Sequence, residues 1–259
     1  MNKTSPLLAP LLLFASVAIC IFAYAPGLSG PFLFDDIVHI VRNPQVHISD
    51  LSLDSLLQAW HSSLASGLSG RPLAQLSFGI NHAFSGLDTF SFKVTNLLIH
   101  LLSGLLIFGL ARQLMIILGQ TNTRITEGRI TWAALAVAML WLVHPLNLST
   151  VLYVVQRMAL LSNMLVLAGL LLYVSGRLRL AKGQPGLALI IAAFPIAGLG
   201  ILAQESAALF PLLLLVMELT LLGGLNRRSP RWTLRAVWAI GIFLPLAFGL
   251  IYLALHPGY

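Results

Sequence analysis

The chain has 259 residues, of which 58% are hydrophobic and 9% are charged, whereas charged residues make up about a quarter of a soluble domain. This composition excludes a soluble globular protein and indicates an integral membrane protein. The net charge of +7 is typical of cytoplasmic loops that face anionic lipid, and it is no evidence for a nucleic-acid partner. The single cysteine, Cys20, excludes a disulfide framework and a cysteine metal cluster.

Seven apolar segments have about the length that crosses a hydrocarbon core, with the third shorter than the others, and we expect each to form a transmembrane helix. They are Leu7–Ala25, Val94–Leu118, Ile130–Val143, Val151–Val174, Leu187–Ala203, Ala207–Leu222 and Ala236–Leu255. The first resembles a cleaved signal peptide, but Pro26 directly follows the small residues of the cleavage site, so we expect an uncleaved anchor. The predicted fold class is an all-α polytopic membrane protein, with residues 1–259 in a single membrane domain.

The distribution of Lys and Arg predicts the orientation in the lipid bilayer, because these residues accumulate in cytoplasmic loops. With a cytoplasmic N-terminus, the positive residues on or near the outer side are Arg42, Arg71, Lys93 and Arg157, and the other 11 of the 15 lie inside. Residues 26–92 then form a large extracytoplasmic loop.

This loop is too long for a simple turn, and it is too short and polar to contain its own core. Within it, Leu51–Trp60 and Pro72–Phe84 are predicted to form short amphipathic helices on the membrane surface. The second helix starts at Pro72, where the missing N–H costs no hydrogen bond. The Ser- and Gly-rich stretch Ser62–Gly70 connects the two helices.

Most of the acidic residues and all of the histidines fall on the predicted outer side of the membrane or at its boundary. They are Asp35, Asp36, Asp50, Asp54, Asp88 and Glu205, together with His39, His47, His61, His82, His100, His144 and His256. A membrane scaffold has no reason to collect these groups on one face, whereas an enzyme acting on an extracytoplasmic substrate does. This asymmetry is the main evidence from the residues themselves for catalytic activity.

Asp35 and Asp36 form the most informative pair, because two adjacent carboxylates lie just beyond the first span. One interpretation is that one of them caps a short helix over Ile37–Val41. The other is a general base paired with a second carboxylate, which either raises the pKa of the base or helps to bind a divalent cation such as Mg²⁺ or Mn²⁺.

The polar residues Lys93, Asn96 and His100 recur at helical spacing and share one face of the second span. Such a stripe either joins helices through hydrogen bonds or lines a site. His144 ends the third span beside Pro145. It is a candidate site residue because of the residues around it.

Arg157 lies in an otherwise apolar segment, where an arginine needs an anion. The candidate anions are Asp35, Asp36 or Glu205, which would make the arginine structural, or a lipid-linked phosphate, which a guanidinium binds with two hydrogen bonds. Glu205 starts the sixth span, where the helix dipole favours a carboxylate and a structural cap is the simplest interpretation.

Several short pieces of sequence carry a resemblance to a known family. In chain order they are Phe32-Leu33-Phe34-Asp35-Asp36 with Asn43-Pro44, Arg71-Pro72-Leu73, Asn96-Leu97-Leu98-Ile99-His100, His144-Pro145, Tyr153-Val154-Val155-Gln156-Arg157-Met158-Ala159-Leu160-Leu161-Ser162, and Ala203-Gln204-Glu205-Ser206 before Leu212–Glu218. Their order and spacing resemble the transmembrane and tetratricopeptide-repeat (TMTC-like) protein O-mannosyltransferases, especially their bacterial relatives, within the GT-C class of polytopic glycosyltransferases.

This resemblance implies an inverting glycosyltransferase that moves a sugar from a polyprenyl-phosphate donor to a hydroxyl of a protein or glycan acceptor. It implies a bacterial inner membrane with the active face in the periplasm. The acidic motif of the family maps onto Asp35 and Asp36, one of which acts as the base. Arg157 corresponds to an arginine that contacts the carrier phosphate.

The residues suit this chemistry, since a hydroxyl acceptor needs a base and a phosphate leaving group needs charge stabilisation. For the second task the sequence offers Arg157, helped by Arg71, His100 or His144, and a metal ion bridging the acidic pair and the phosphate would serve equally well. We also expect Asn96 and Glu205 to contact the substrate.

Relatives usually have more membrane helices, and many have a C-terminal repeat domain. The resemblance therefore implies that this chain corresponds to the N-terminal part of a longer protein. Two further classes stay open from the sequence. One is a transporter or lipid-binding scaffold without catalysis, and the other is a ligase that uses a diphosphate-linked glycan.

Overall fold

The computed structural model describes residues 8–63, 70–119, 126–228, 235, 238–243, 245 and 247. Over these ranges the secondary structure is helical, and no strand occurs in them. The predicted fold class of an all-α polytopic membrane protein is confirmed.

The α-helices of this part of the chain differ widely in length. They are α1 (Leu8–Leu28), α2 (Leu53–Trp60), α3 (Pro72–Ser85), α4 (Thr89–Gly119), α5 (Glu127–Leu142), α6 (Asn147–Leu152), α7 (Arg157–Ala181), α8 (Leu187–Leu199) and α9 (Phe210–Met217). Short 3₁₀ segments lie at Pro44–Val46, Val154–Gln156, Gly200–Leu202, Glu205–Leu209 and Gly223–Arg228, and π-helical turns at Ile37–Val41, Glu218–Leu222 and Ala239–Phe243.

Four segments of the described residues are long and apolar enough to cross a membrane, namely Leu11–Leu28, Thr89–Gly119, Val154–Ala181 and Glu205–Leu225. The predicted count of seven spans is not confirmed. Helix α5 has 16 residues, and the apolar helix at Leu187–Leu202 is also too short to be counted. Most of the predicted span Ala236–Leu255 lies outside the described residues.

Helix α7 is central to the packing, because it contacts both α4 and α8. Its contact with α8 depends on glycine, since a Cβ atom at Gly176 would lie 2.6 Å from the Gly186 carbonyl oxygen. Small residues allow helices to approach closely where lipid removes the hydrophobic drive for association. The core around this contact includes Tyr173, Ile190 and Leu214, which are completely buried.

The two short helices predicted within the first loop are present as α2 and α3, and their location on the membrane surface stays a prediction. The Ser52 hydroxyl caps α2 by accepting a 3.3 Å hydrogen bond from the Ser55 N–H. Helix α3 buries Ala74 and Phe78 in a second core that also contains Phe92 of α4. Most of the predicted connector Ser62–Gly70 lies outside the described residues, and the extracytoplasmic location of residues 26–92 stays a prediction.

A buried ion pair joins α7 to the segment that follows α9. The Arg177 guanidinium donates to the Glu218 carboxylate from Nε at 2.5 Å and from Nη2 at 2.9 Å. The Tyr173 hydroxyl donates to the same carboxylate at 2.8 Å, and the Trp238 indole N–H donates to that hydroxyl at 3.1 Å. Removing either partner would leave the other charge buried without its counter-charge, so the pair ties α7 to this segment.

We expect Arg177→Ala to lower the free energy of unfolding by about 3–5 kcal/mol, because it leaves the buried Glu218 carboxylate without its cation. The measurement is chemical denaturation of the purified chain in detergent micelles. Arg179→Ala is the matched control, since the Arg179 side chain is exposed two residues further along α7. Equal stability of the two variants would show that the ion pair does not hold the helices together.

Candidate functional site

The two adjacent carboxylates of the acidic motif lie in different environments. Phe34 precedes them with a φ of 40°, in the left-handed region that L-residues rarely adopt. A short helix then starts at Asp35 and continues through the π-helical turn at Ile37–Val41. Because neighbouring helical residues point about 100° apart, Asp35 is exposed while Asp36 is completely buried.

The Asp36 carboxylate connects the first loop to the start of α7. Its Oδ2 accepts a 2.9 Å hydrogen bond from the Leu33 N–H, and its Oδ1 accepts a 2.7 Å bond from the Val155 N–H. It does not cap the turn at Ile37–Val41, so this interpretation is wrong for Asp36. Burial raises the pKa of the Asp36 carboxyl, while these hydrogen bonds and the charge of Lys93 oppose that rise.

A hydrogen bond from its backbone fixes Asp35 in place, while its carboxylate is exposed to solvent. The Asp35 N–H donates a 2.9 Å hydrogen bond to the Tyr153 hydroxyl oxygen. Burial and the nearby carboxylates of Asp35 and Asp36 raise the pKa of the Tyr153 phenol, although the Asp35 N–H acts in the opposite direction. The phenol therefore stays protonated beside an accessible carboxylate.

Arg157 is the first residue of α7, and its side chain is completely buried. Its hydrogen bonds run from Nε to Asn96 Oδ1 (2.8 Å), from Nη2 to Asn81 Oδ1 and the Phe92 carbonyl (both 2.8 Å), and from Nη1 to the Ser77 carbonyl (3.0 Å). These partners are neutral oxygens of α3 and α4, and Asp36 interacts with the charge electrostatically. Arg157 thus connects three helices, and its guanidinium does not reach solvent.

The predicted common face of Lys93, Asn96 and His100 is confirmed, since all three side chains are buried in α4. Their nitrogens bind backbone carbonyls where other elements begin or end. Lys93 Nζ donates to Gly27 (3.2 Å) and Gly30 (2.9 Å), Asn96 Nδ2 to Val151 (3.1 Å) and Val154 (3.3 Å), and His100 Nε2 to Leu142 (2.9 Å). The stripe therefore joins helices, which is one of its two predicted roles.

Arg71 and Glu205 form an ion pair that is partly open to solvent. The Arg71 Nη2 atom lies 3.2 Å from Glu205 Oε2, and Nε lies 3.4 Å from Oε1, with side-chain exposures of 37% and 49%. Among the described residues, Arg71 and Phe34 are the non-glycine residues with positive φ. Such strained backbone clusters at functional sites, and both residues lie in the region of the predicted site.

The segment Tyr153–Met158 brings the acidic motif and Arg71 together. Tyr153 binds the Asp35 backbone, Val155 binds Asp36, and Met158 Sδ accepts a 3.2 Å contact from Arg71 Nη1. At 1.5–2.0 Å per residue, the segment is roughly 8–10 Å long. An exposed carboxylate and a partly exposed guanidinium thus lie near its two ends.

His144 stands apart from these contacts, because its hydrogen bond lies within its own turn. The exposed ring accepts a 3.2 Å hydrogen bond at Nδ1 from the Leu146 N–H, between α5 and α6.

A cavity of about 420 Å³ lies beside the π-helical turn at Ile37–Val41, which follows the acidic motif. It is lined by Val38, Arg42, Asn43, Pro44, Gln45, Ser62 and Ser63.

The acidic pair is a candidate metal site, because the sequence leaves a divalent cation open there. Within the described ranges, no group of three or more His, Cys, Asp or Glu side chains is arranged to hold one. Asp36 is completely buried and each of its oxygens accepts a backbone N–H group, which leaves Asp35 as the accessible carboxylate of the pair. Asp35 and Asp36 therefore do not fit a shared Mg²⁺ or Mn²⁺ site.

Two residues of the site carry no sequence signal for their structural roles. Asn81 accepts from Arg157 across 76 positions of the chain, and an amide on an amphipathic helix does not indicate such a partner. The strained conformation of Phe34 is equally invisible, because a phenylalanine before an acidic pair does not predict positive φ.

The resemblance predicted from the sequence is confirmed by curated relatives. The chain is 29% identical over 165 residues to a Protein O-mannosyl-transferase of Caenorhabditis elegans, a match that covers 62% of this chain and 22% of the relative. It is 32% identical over 170 residues to Protein O-mannosyl-transferase TMTC4 of Homo sapiens, covering 60% and 22%, and 29% identical over 171 residues to TMTC3 of Mus musculus, covering 64% and 17%. The chain thus spans about a fifth of the length of the curated relatives it matches. No family model and no solved structure matches it.

We expect the stability of the chain to depend on pH through Asp36. Because burial raises the folded-state pKa above the ordinary value of 3.8, the stabilisation is fully present below that value and decreases as pH rises through the folded-state pKa. Asp36→Asn removes this pH dependence. It also costs about 1–3 kcal/mol, since the amide NH₂ cannot accept from a backbone N–H.

The measurement is denaturant unfolding of both chains in detergent from about pH 3.5 upwards, where the Asp carboxyl begins to titrate. Asp54→Asn is the matched control, because its carboxylate is exposed on α2. A stability difference between wild type and Asp36→Asn that stays constant with pH would contradict the assignment.

Proposed function

We propose that this chain contributes to a glycosyltransferase that transfers a sugar, with inversion, from a polyprenyl-phosphate carrier to a hydroxyl of a protein or glycan. One observation carries the proposal: the exposed Asp35 carboxylate and the partly exposed Arg71 guanidinium lie near the two ends of the segment Tyr153–Met158. The similarity to relatives that are named protein O-mannosyl-transferases supports this type of reaction.

Asp35 is the proposed general base. As the acceptor oxygen attacks the anomeric carbon, its proton passes to the Asp35 carboxylate. The bond between that carbon and the phosphate oxygen breaks, and the carrier phosphate leaves with the electron pair. Asp36 does not take this role, because both of its oxygens are occupied and it is buried. It positions the loop that presents Asp35.

Arg71 is the proposed ligand of the carrier phosphate. The leaving phosphate needs charge stabilisation, and a guanidinium binds two phosphate oxygens as it binds a carboxylate. The Glu205 carboxylate occupies that position with both oxygens in this structure. We propose that Glu205 orients Arg71 until the donor phosphate binds. Arg157 has a structural role, because its guanidinium is completely buried and connects the helices that form the site.

Asn96 and His100 support the site through buried contacts to the backbone, and His144 shapes the turn between α5 and α6. We place this site on the periplasmic side of a bacterial inner membrane, with the N-terminus in the cytoplasm. The distribution of Lys and Arg supports this orientation.

The first test is transfer of labelled sugar from polyprenyl-phosphate sugars, in membranes that contain the full gene product. We expect Asp35→Asn to lower kcat by about 10²–10⁴-fold, since it removes the base. Arg71→Ala should raise the KM for the donor and lower kcat by about 10²-fold, since it removes charge stabilisation.

Asp54→Asn is the control for this test, because it changes an exposed carboxylate on α2, away from the acidic motif. Its rate should match wild type. An Asp35→Asn variant with an unchanged rate at equal protein level would exclude Asp35 as the base.

The proposed orientation of the chain in the membrane has an independent test. The native Cys20 is completely buried, so an introduced cysteine at an exposed site gives a clean labelling signal. We expect Asp54→Cys in intact cells to react with a membrane-impermeant maleimide that crosses the outer membrane. Arg179→Cys should react only after the inner membrane is opened. The reverse pattern would overturn the proposed topology.

A further inference from the structure

Phe34 is the most exposed large apolar side chain near the proposed base. Its exposure of 82% equals that of Phe22, but Phe22 lies in the span Leu11–Leu28, where lipid covers it. Phe34 lies outside the four spans and directly precedes Asp35. Burial of its ring therefore does not explain why a phenylalanine occupies this position.

The backbone of Phe34 is held in a conformation that favours glycine, with a φ of 40°. Contacts on both sides maintain it. The Leu33 N–H donates to Asp36 Oδ2 at 2.9 Å, and the Leu33 carbonyl accepts from the Asp36 N–H at 2.8 Å. On the other side, the Asp35 N–H is bound to Tyr153 at 2.9 Å. The fold thus fixes an exposed ring at a strained position, which is a feature of functional sites.

The Phe34 ring forms an aromatic corner with Tyr153. The ring centroids lie 6.3 Å apart, and the ring planes are nearly perpendicular at 82°. The Tyr153 hydroxyl accepts from the Asp35 backbone, so the corner lies beside the Asp35 carboxylate. The corner thus combines an exposed apolar ring with fixed polar groups at its edge.

We infer that this corner binds the hexopyranose ring of a substrate, with the C–H face of the sugar on Phe34 and its hydroxyls towards Tyr153 and Asp35. The apolar C–H face suits the electron-rich face of an aromatic ring. The inference rests on the proposed function for the identity of the substrate. The same chemistry would serve the sugar of the donor or a sugar of a glycan acceptor.

The experiment measures binding rather than transfer, so that it does not depend on catalysis. The full chain in detergent is titrated with fluorescent polyprenyl-phosphate mannose and with the same polyprenyl phosphate lacking sugar. We expect wild type and Phe34→Tyr to prefer the sugar-loaded carrier by about tenfold, the scale of one aromatic contact. Phe34→Leu and Phe34→Gly should lose this preference and keep the affinity for the sugar-free carrier.

Phe34→Gly separates binding from folding. Since glycine adopts positive φ without strain, this variant should unfold at an equal or higher temperature than wild type while it loses the sugar preference. Phe84→Leu is the control for Phe34→Leu, because Phe84 is 76% exposed on α3. It should keep the preference.

A second arm distinguishes the two sources of sugar. If the sugar belongs to the acceptor, Phe34→Gly keeps the carrier preference and instead raises the KM for a mannose-containing acceptor about tenfold. If both quantities stay at wild-type values and only the binding of the chain to lipid vesicles weakens, Phe34 is a membrane contact and the inference is overturned. If the sugar preference depends on Phe34 but the chain transfers no sugar, the aromatic corner still binds sugar and the proposed reaction is wrong.

Discussion

The site depends on the burial of Arg157. A guanidinium enclosed in protein is stable only when its N–H groups find acceptors, since an unpaired buried charge costs several kcal/mol. Four of its five N–H groups bind oxygens of α3 and α4. The rings of Phe78 and Phe92 lie 4.9 and 5.3 Å from its central carbon and add cation–π contacts. These contacts fix the start of α7 against two other helices.

The position of the acidic motif follows from that constraint. With the start of α7 fixed, the Val155 N–H is in place to bind Asp36, and the Tyr153 hydroxyl is in place to bind the Asp35 backbone. The Asp36 carboxylate is therefore buried in structural hydrogen bonds, and the neighbouring Asp35 carboxylate is exposed to solvent. Two chemically identical residues take different roles because a helix turns them into different dielectric environments.

A second buried arginine lies near the other end of α7 and is neutralised differently. Arg177 pairs with the Glu218 carboxylate, whereas Arg157 binds neutral amide and carbonyl oxygens. The two residues are 20 positions apart, which corresponds to roughly 30 Å of helix and to the thickness of a hydrocarbon core. They thus mark the two ends of this span, where the helix must be fixed to its neighbours.

The sequence by itself determined the membrane class, the two short helices of the first loop and the buried face of Lys93, Asn96 and His100, because these depend on local composition and helical periodicity. Hydropathy predicted seven spans, and four segments of the described residues are long and apolar enough to cross a membrane. Only the tertiary structure decided which carboxylate is exposed to solvent and what Arg157 binds. The partners of Arg157 are 61 to 80 positions away along the chain, and Val155 is 119 positions from Asp36, and no local pattern encodes such contacts.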